Sequence, residues 1–342
     1  MRRAILFNFL FMNFWKKLPK PFFCLAPMAD VTDAAFRRII CKYGKPDVLW
    51  TEFVSADGLA SEGREVLKNN LIYTKKEHPI IAQLFSAHPN KMREAAKLVA
   101  ELGFDGIDIN MGCPDKSIEK QGAGAAMMKN MKIAGEVIQA AKDGVKDAKK
   151  NISISVKTRI GYSKNQISEW IPFLLEQDID ALIIHARTRK ELSLVPARWE
   201  HVREVVEIRD KMGLKTKIIG NGDVVDIEDG RRKCKETGCD GIMIGRGIFG
   251  NPFFFASLHK KKNVLSESEG QGFIVKKLKV LIEHTNLFEK ILGKHKNFAV
   301  MKKHYKAYVN GFDGAKELRV KLMETKNPKE VESIIKDFLK NH

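Results

Sequence analysis

The segment GIDINMGCP at residues 106–114 carries an apolar strand pattern into a turn around one thiol, Cys113. A cysteine at that position is either a small core residue closing a strand or a reagent at the rim of a pocket. Eight apolar runs, this one included, end on chemistry of the same kind. Met28 follows Ala26-Pro27; Glu52, Gln83 and Asn110 end the next runs; Lys157 comes with Arg159, His185 with Arg187, Asn221 with Asp223, and last comes Arg246. One polar residue at a strand end means little. Eight in register would each carry a desolvation cost unless a ligand met them. They mark a functional site.

The last two ends point to a phosphate. GNGD (220–223) and GRG (245–247) place glycines where backbone must approach an anion, and Arg246 adds a charged fork. GRGIFG (245–250) also spells G-x-G-x-x-G, but Pro252 and a phenylalanine run follow it and no further parallel strand does. A dinucleotide-binding βαβ unit is therefore excluded, and a mononucleotide cup remains. Lys157 on a central strand is either a Schiff-base amine or a fixed cation beside an electron-rich ring. Arg159, His185 and the phosphate cup favour flavin mononucleotide (FMN) over the first alternative.

The elements that must hold these groups read as eight strands: 22–29, 48–54, 79–85, 106–112, 153–160, 181–187, 217–223 and 241–247. Amphipathic helical stretches such as 90–102 and 199–212 lie between them. Strands alternating with helices over this span predict a (β/α)8 TIM barrel, with a doubly wound open sheet as the alternative. In such a barrel all strand ends converge on one mouth.

With 44% apolar and 30% charged residues, the chain of 342 has the composition of a soluble globular protein. Five scattered cysteines exclude a disulfide framework and show no zinc spacing, so we expect no metal and a reducing, cytoplasmic setting. No run is long and apolar enough to predict a membrane span. Residues 1–11 read as an upstream extension, with a second start at Met12. The net charge of +18 points to nucleic acid, and 19 Lys/Arg against 10 Asp/Glu fall after residue 255.

Taken together, LAPMADVTDAAFRRI, IAQLF, GFDGIDINMGCPDKSIEKQGAGAAMM, SVKTRIG, IIHARTR, IIGNGDV and GCDGIMIGRGIFGNP resemble the tRNA-dihydrouridine synthases. The NMGCP wording leans toward their bacterial B-type branch. The resemblance implies an FMN-binding barrel over residues 12–255 and a small all-helical tRNA-binding domain over 256–342. NADPH would reduce the FMN, a hydride would pass from its N5 to C6 of a uracil in tRNA, and Cys113 would protonate C5. It assigns Pro27, Met28, Ala29, Gln83, Lys157 and His185 to the flavin ring, and Asn221, Gly222, Asp223, Gly245 and Arg246 to its phosphate. It sets Asn110 against the uracil and Arg187 and Arg189 near tRNA or phosphate. A thiol near its reference pKa of ~8.5 suits proton donation at neutral pH.

Four features depart from the family pattern: Asp30 where Gly is frequent, Ala35 for Pro, Ala186 for Gly, and KELSLVPARW after the HARTR motif. In the tail, Leu278, Leu281, Ile282, Thr285, Phe288 and Leu292 form one helical stripe over 276–292. A second helix over 298–309 sets Phe298, Met301, Tyr305 and Tyr308 on one face and Lys302, Lys303 and Lys306 off it. A third begins at Asn327-Pro328. We expect the three lysines to touch tRNA and the protein to work as a monomer. A dihydroorotate dehydrogenase-like flavin barrel acting on a small metabolite explains Lys157 but not this basic tail.

Overall fold

The computed structural model describes residues 13–258 and 271–341; the expected extension at 1–11 lies outside them. Eight strands run parallel: β1 Phe22–Leu25, β2 Leu49–Ser55, β3 Ile80–Phe85, β4 Gly106–Met111, β5 Ser153–Arg159, β6 Ala181–His185, β7 Lys217–Asn221 and β8 Gly241–Ile244. They follow chain order around the sheet, and β1 pairs with β8 from Phe22↔Gly241 to Leu25↔Ile244. The last gap closes between β1 and the start of β2. There Leu25 N–H donates to the Val48 carbonyl at 3.1 Å and Val48 N–H to that of Phe23 at 3.3 Å. The predicted barrel is the observed one.

Apart from β2 and β3, each strand stops short of the C-terminal end of its predicted run, because the final residues turn out of the ladder to form loops at the mouth. Residues alternate across each strand. Phe22, Cys24, Val48, Trp50, Ile81, Ile183, Ile219 and Met243 fill the lower interior, and Trp15 plugs it from below. One layer higher the inward positions turn polar. The outward residues meet α1 Ala34–Tyr43, α2 Pro89–Glu101, α3 Met131–Asp147, α4 Ile167–Glu176, α5 Glu200–Lys211 and α6 Ile227–Thr237.

Beyond the barrel come α7 Gln271–Leu292, α8 Met301–Tyr308, α9 Ala315–Glu324 and α10 Pro328–Asn341. Sequence periodicity gives α7, α8 and α10 but misses α9. Ala315, Leu318 and Leu322 of α9 are buried, while Val320 and Met323 face solvent and blur the stripe. These helices bury their apolar faces on Ala35 and Ile39 of α1, whose other face (Phe36, Ile40) belongs to the barrel. His284 and His304 meet edge-on at 4.6 Å beside Phe36. Burial keeps both neutral, His304 being pushed down to about 3.

At the mouth, the loop Met28–Thr32 is pinned from below. Met28 N–H donates to Thr32 Oγ1 at 2.9 Å, and the Thr32 carbonyl accepts from Arg37 Nη1 at 2.8 Å. Arg37 in turn pairs with Glu77 at 2.8 Å, both side chains fully buried. Removing one partner of such a pair strands the other charge. Glu77→Ala should therefore cost about 3–5 kcal/mol in denaturant unfolding, a larger loss than removal of any exposed ion pair.

Candidate active site

A cavity of about 630 Å³ opens at the C-terminal end of the strands. Its wall is built from Pro27 and Met28 after β1, Lys157 on β5, His185 and Arg187 from β6, and Asn221, Gly222 and Asp223 from β7. Gly245, Arg246 and Gly247 complete it. Nine of the residues expected at a cofactor are brought together here. Gln83 is fully buried below the floor, and Ala29 is exposed outside the lining.

The cavity is cationic. Burial pulls the Lys157 ammonium down to about 8, with Arg159 adding repulsion and Asp108 and Cys113 opposing. Burial also drives His185 well below its ordinary value, reinforced by Lys157, Arg159, Arg187 and Arg246. Its ring is neutral, and Nε2 accepts from Arg187 Nη1 at 3.0 Å, which puts the ring proton on Nδ1.

Arg187 is almost wholly buried and has a protein partner for every nitrogen: His185, the Val195 carbonyl and Asp223. Asp223 also accepts from Ala197 N–H at 2.9 Å and Arg246 Nη2 at 3.0 Å. Burial alone would raise the Asp223 carboxyl, but the Ala197 N–H and the two guanidinium groups hold it low. The Asp223 carboxylate thus aims two arginines at this corner of the cavity. Gly222 sits at φ +130 with Ala197 only 2.7 Å from where a Cβ would be, so no side chain intrudes.

This donor set fits a flavin nucleotide. Lys157 has no carboxylate partner among the described residues, and the Arg246 side chain is 62% exposed with nitrogen to spare. An anionic phosphate at the glycine backbone and an electron-rich ring at Lys157 would supply the countercharge the cavity lacks.

Cys113 stands at the edge of the mouth, half-buried. Burial raises its thiol above the ordinary value, opposed by the Asp115 backbone N–H and by Lys157 and Arg159, while the Asp115 charge adds to the rise. Its turn is held on all sides. Arg159 Nε donates to the Gly112 carbonyl at 2.8 Å, and Ala125 N–H to that of Cys113 at 2.9 Å. Gly124, at φ +61, lets that carbonyl approach to 2.8 Å of its missing Cβ. Arg189 grips Glu119 and reaches the Pro114 carbonyl at 3.4 Å. The Tyr162 ring meets both Lys129, with Nζ 3.7 Å from its centroid, and the Arg189 guanidinium at 5.3 Å.

Asn110 is 7% exposed, with its amide turned to the Cys113 turn and to Gln83. Sequence reasoning passed over Lys296. It crosses from the helical domain to place Nζ 2.8 Å from both Glu52 oxygens, and Asp30 lies 3.6 Å away. Lys303 pairs with Asp30 at 2.9 Å, whereas Lys302 is half-buried and Lys306 exposed. Asp30 has φ +54, a conformation glycine adopts freely and aspartate tolerates better than most residues. In exchange this chain gains a carboxylate that meets two lysines of the helical domain.

The model of the family "Dihydrouridine synthase (Dus)" matches residues 24–342. A protein named "Probable tRNA-dihydrouridine synthase 2" from Bacillus subtilis (strain 168) is 39% identical over 330 residues, 95% of this chain and 96% of that protein. A "Probable tRNA-dihydrouridine synthase" from Staphylococcus aureus (strain Mu50 / ATCC 700699) is 38% identical over 330 residues, with 95% of each chain covered. Among solved structures, histamine dehydrogenase from Rhizobium sp. 4-9 superposes with a TM-score of 0.50 at 13% identity, covering 78% of this chain and 48% of that one. The 6-hydroxypseudooxynicotine amine oxidase of Pseudomonas geniculata N1 gives 0.52 at 12%, covering 81% and 53%. The chain spans about half of each, and at these identities the likeness is one of fold.

The Arg189 grip gives a direct test of how the thiol loop is held. Arg189→Ala should speed amide hydrogen exchange in residues 115–124 by about tenfold to a hundredfold, since a charged hydrogen bond contributes ~1.5–3 kcal/mol. Exchange in the strands should not change.

Proposed function

The chain belongs to the dihydrouridine synthase family, and on that premise we propose that it reduces uridine in tRNA to 5,6-dihydrouridine. The observation that carries this reading is a partly buried thiol held on a fixed turn beside a cationic, phosphate-ready cavity. A bound FMN, reduced by NADPH, supplies the hydride that goes to uracil C6.

This chain's residues do the rest. Asn221, Gly222, Gly245 and Arg246 hold the phosphate, with Arg246 kept in place by Asp223. Pro27 and Met28 border the ring. Lys157 sets a positive charge beside its electron-rich edge, and His185 is a neutral donor from Nδ1. Gln83 supports this floor from beneath through its hydrogen bonds. Cys113 gives its proton to C5 once C6 has been reduced, and the thiolate left behind is stabilised by Lys157 and Arg159. The raised thiol keeps the donor form populated through neutral pH, so turnover should fall only as pH rises past the ordinary thiol range.

The uridine must leave its stack to reach this mouth, at ~a few kcal/mol. Lys302 and Lys306 on α8, beside the Lys296 and Lys303 tether, supply backbone contacts without reading sequence. All of these groups lie in one chain, which supports a monomer as the working unit. A free tRNA substrate supports a cytoplasmic site of action. No helix among the described residues is long and apolar enough to cross a membrane.

Turnover of unmodified tRNA with NADPH, read by nucleoside mass spectrometry, tests the reading. The intact protein should make dihydrouridine, and Cys113→Ala should bind flavin and tRNA yet lose nearly all of it. A yellow, NADPH-oxidising protein that makes none would overturn the substrate assignment. Lys302→Glu with Lys306→Glu should weaken tRNA binding at least about tenfold, flatten its salt dependence, and leave the flavin spectrum unchanged.

A further inference from the structure

Below the cavity floor runs a chain of hydrogen bonds that ends at the thiol turn. Ser155 Oγ donates to Asp108 Oδ1 at 2.7 Å, and Gln83 Nε2 donates to Asp108 Oδ2 at 2.6 Å. Asn110 Nδ2 donates to Gln83 Oε1 at 3.0 Å. Asn110 Oδ1 then accepts the backbone N–H of Gly112 at 3.1 Å and of Cys113 at 2.9 Å. Ser155, Asp108 and Gln83 are fully buried.

Two linked amides can point either way, but a carboxylate only accepts. Turning Gln83 over would set Oε1 against Asp108. Turning Asn110 over would set an NH2 against two N–H groups of the turn. Each mismatch in this buried place costs ~1–3 kcal/mol. Burial raises the Asp108 carboxyl to about 6, against the hydrogen bonds of Gln83 and Ser155 and the charge of Lys157, so at pH 7 it is mainly the acceptor-only carboxylate.

We propose that Asp108 is a positioning residue that sets, through Gln83 and Asn110, the direction of the hydrogen bonds holding the Cys113 turn. The inference rests on Cys113 as the proton donor. It also makes Asn110 a support for the turn through its Oδ1, rather than a group whose amide is free for the uracil.

Isosteric exchanges test direction without emptying space. In Asp108→Asn, Oδ1 still faces Gln83 and Nδ2 faces the Ser155 hydroxyl, so the direction survives. In Asn110→Asp, two acceptors must face each other somewhere along the chain. In the double variant the whole chain can reverse. The amide introduced at position 108 donates to Gln83 Oε1, and Gln83 Nε2 donates to the carboxylate introduced at position 110. That carboxylate still accepts from the turn.

The measurement is single-turnover oxidation of the pre-reduced, flavin-loaded protein by unmodified tRNA, with NADPH reduction of each variant as the internal reference. Asn110→Asp should slow the tRNA step by about tenfold or more, and Asp108→Asn should stay within about threefold of the parent. Adding Asp108→Asn to Asn110→Asp should bring the rate back to within about threefold of Asp108→Asn alone. The NADPH step should stay the same in all. A full-rate Asn110→Asp, or a double variant no faster than Asn110→Asp, would overturn the proposal. Cys113→Ala run alongside separates the two levels: full activity there would sink the donor assignment itself.

Discussion

Leu25 N–H meets the Val48 carbonyl, and with that bond an eight-stranded sheet has no edge. Closure is the constraint from which the site follows. In a parallel sheet every strand points the same way, so closing it gathers all eight C-terminal ends around one opening. Alternation then sends every second residue inward, apolar in the lower layers and polar in the last. The polar layer cannot spread out, because the ring of strands fixes its diameter. Lys157, His185, Arg187 and Arg246 are thus held together at a mutual cost that an anion relieves.

Much of this could be read in the residues themselves. The eight apolar runs and their polar endings are local patterns, and closure turns them into a site without further information. Other parts depend on distances the chain does not spell out. Arg187 looks like a free cation beside His185 in sequence, but the 195–197 loop and Asp223 surround it. Lys296 is one lysine among many until α7 brings it over Glu52. Asp108 stands in plain view in GIDIN, and strict alternation with Asn110 would have turned it inward. Its neighbours Ile107 and Ile109 made the run read as uniformly apolar. Helix α9 was hidden because two of its apolar side chains are exposed.

The contact between the two parts of the chain is electrostatic at the top and apolar at the side. Glu52 lies within β2, nearly buried, and receives a lysine from the C-terminal segment, while Asp30 collects two. A surface ion pair contributes little, but Glu52 is nearly buried, and each lost contact there leaves a charge poorly solvated. The position of α8 is therefore registered on the barrel by Asp30 in the loop after β1, next to the Lys296–Glu52 pair.

Helix α1 is covered on two sides along its middle turns, with Arg38 left partly in solvent between them. Phe36 and Ile40 belong to the barrel, and Ala35 and Ile39 to helices that come more than two hundred residues later. During synthesis, the eight strands can all have left the ribosome while this outer stripe of α1 still lacks its cover. The nascent barrel must carry an adhesive ridge in solvent until α7 and its companions emerge and fold over it.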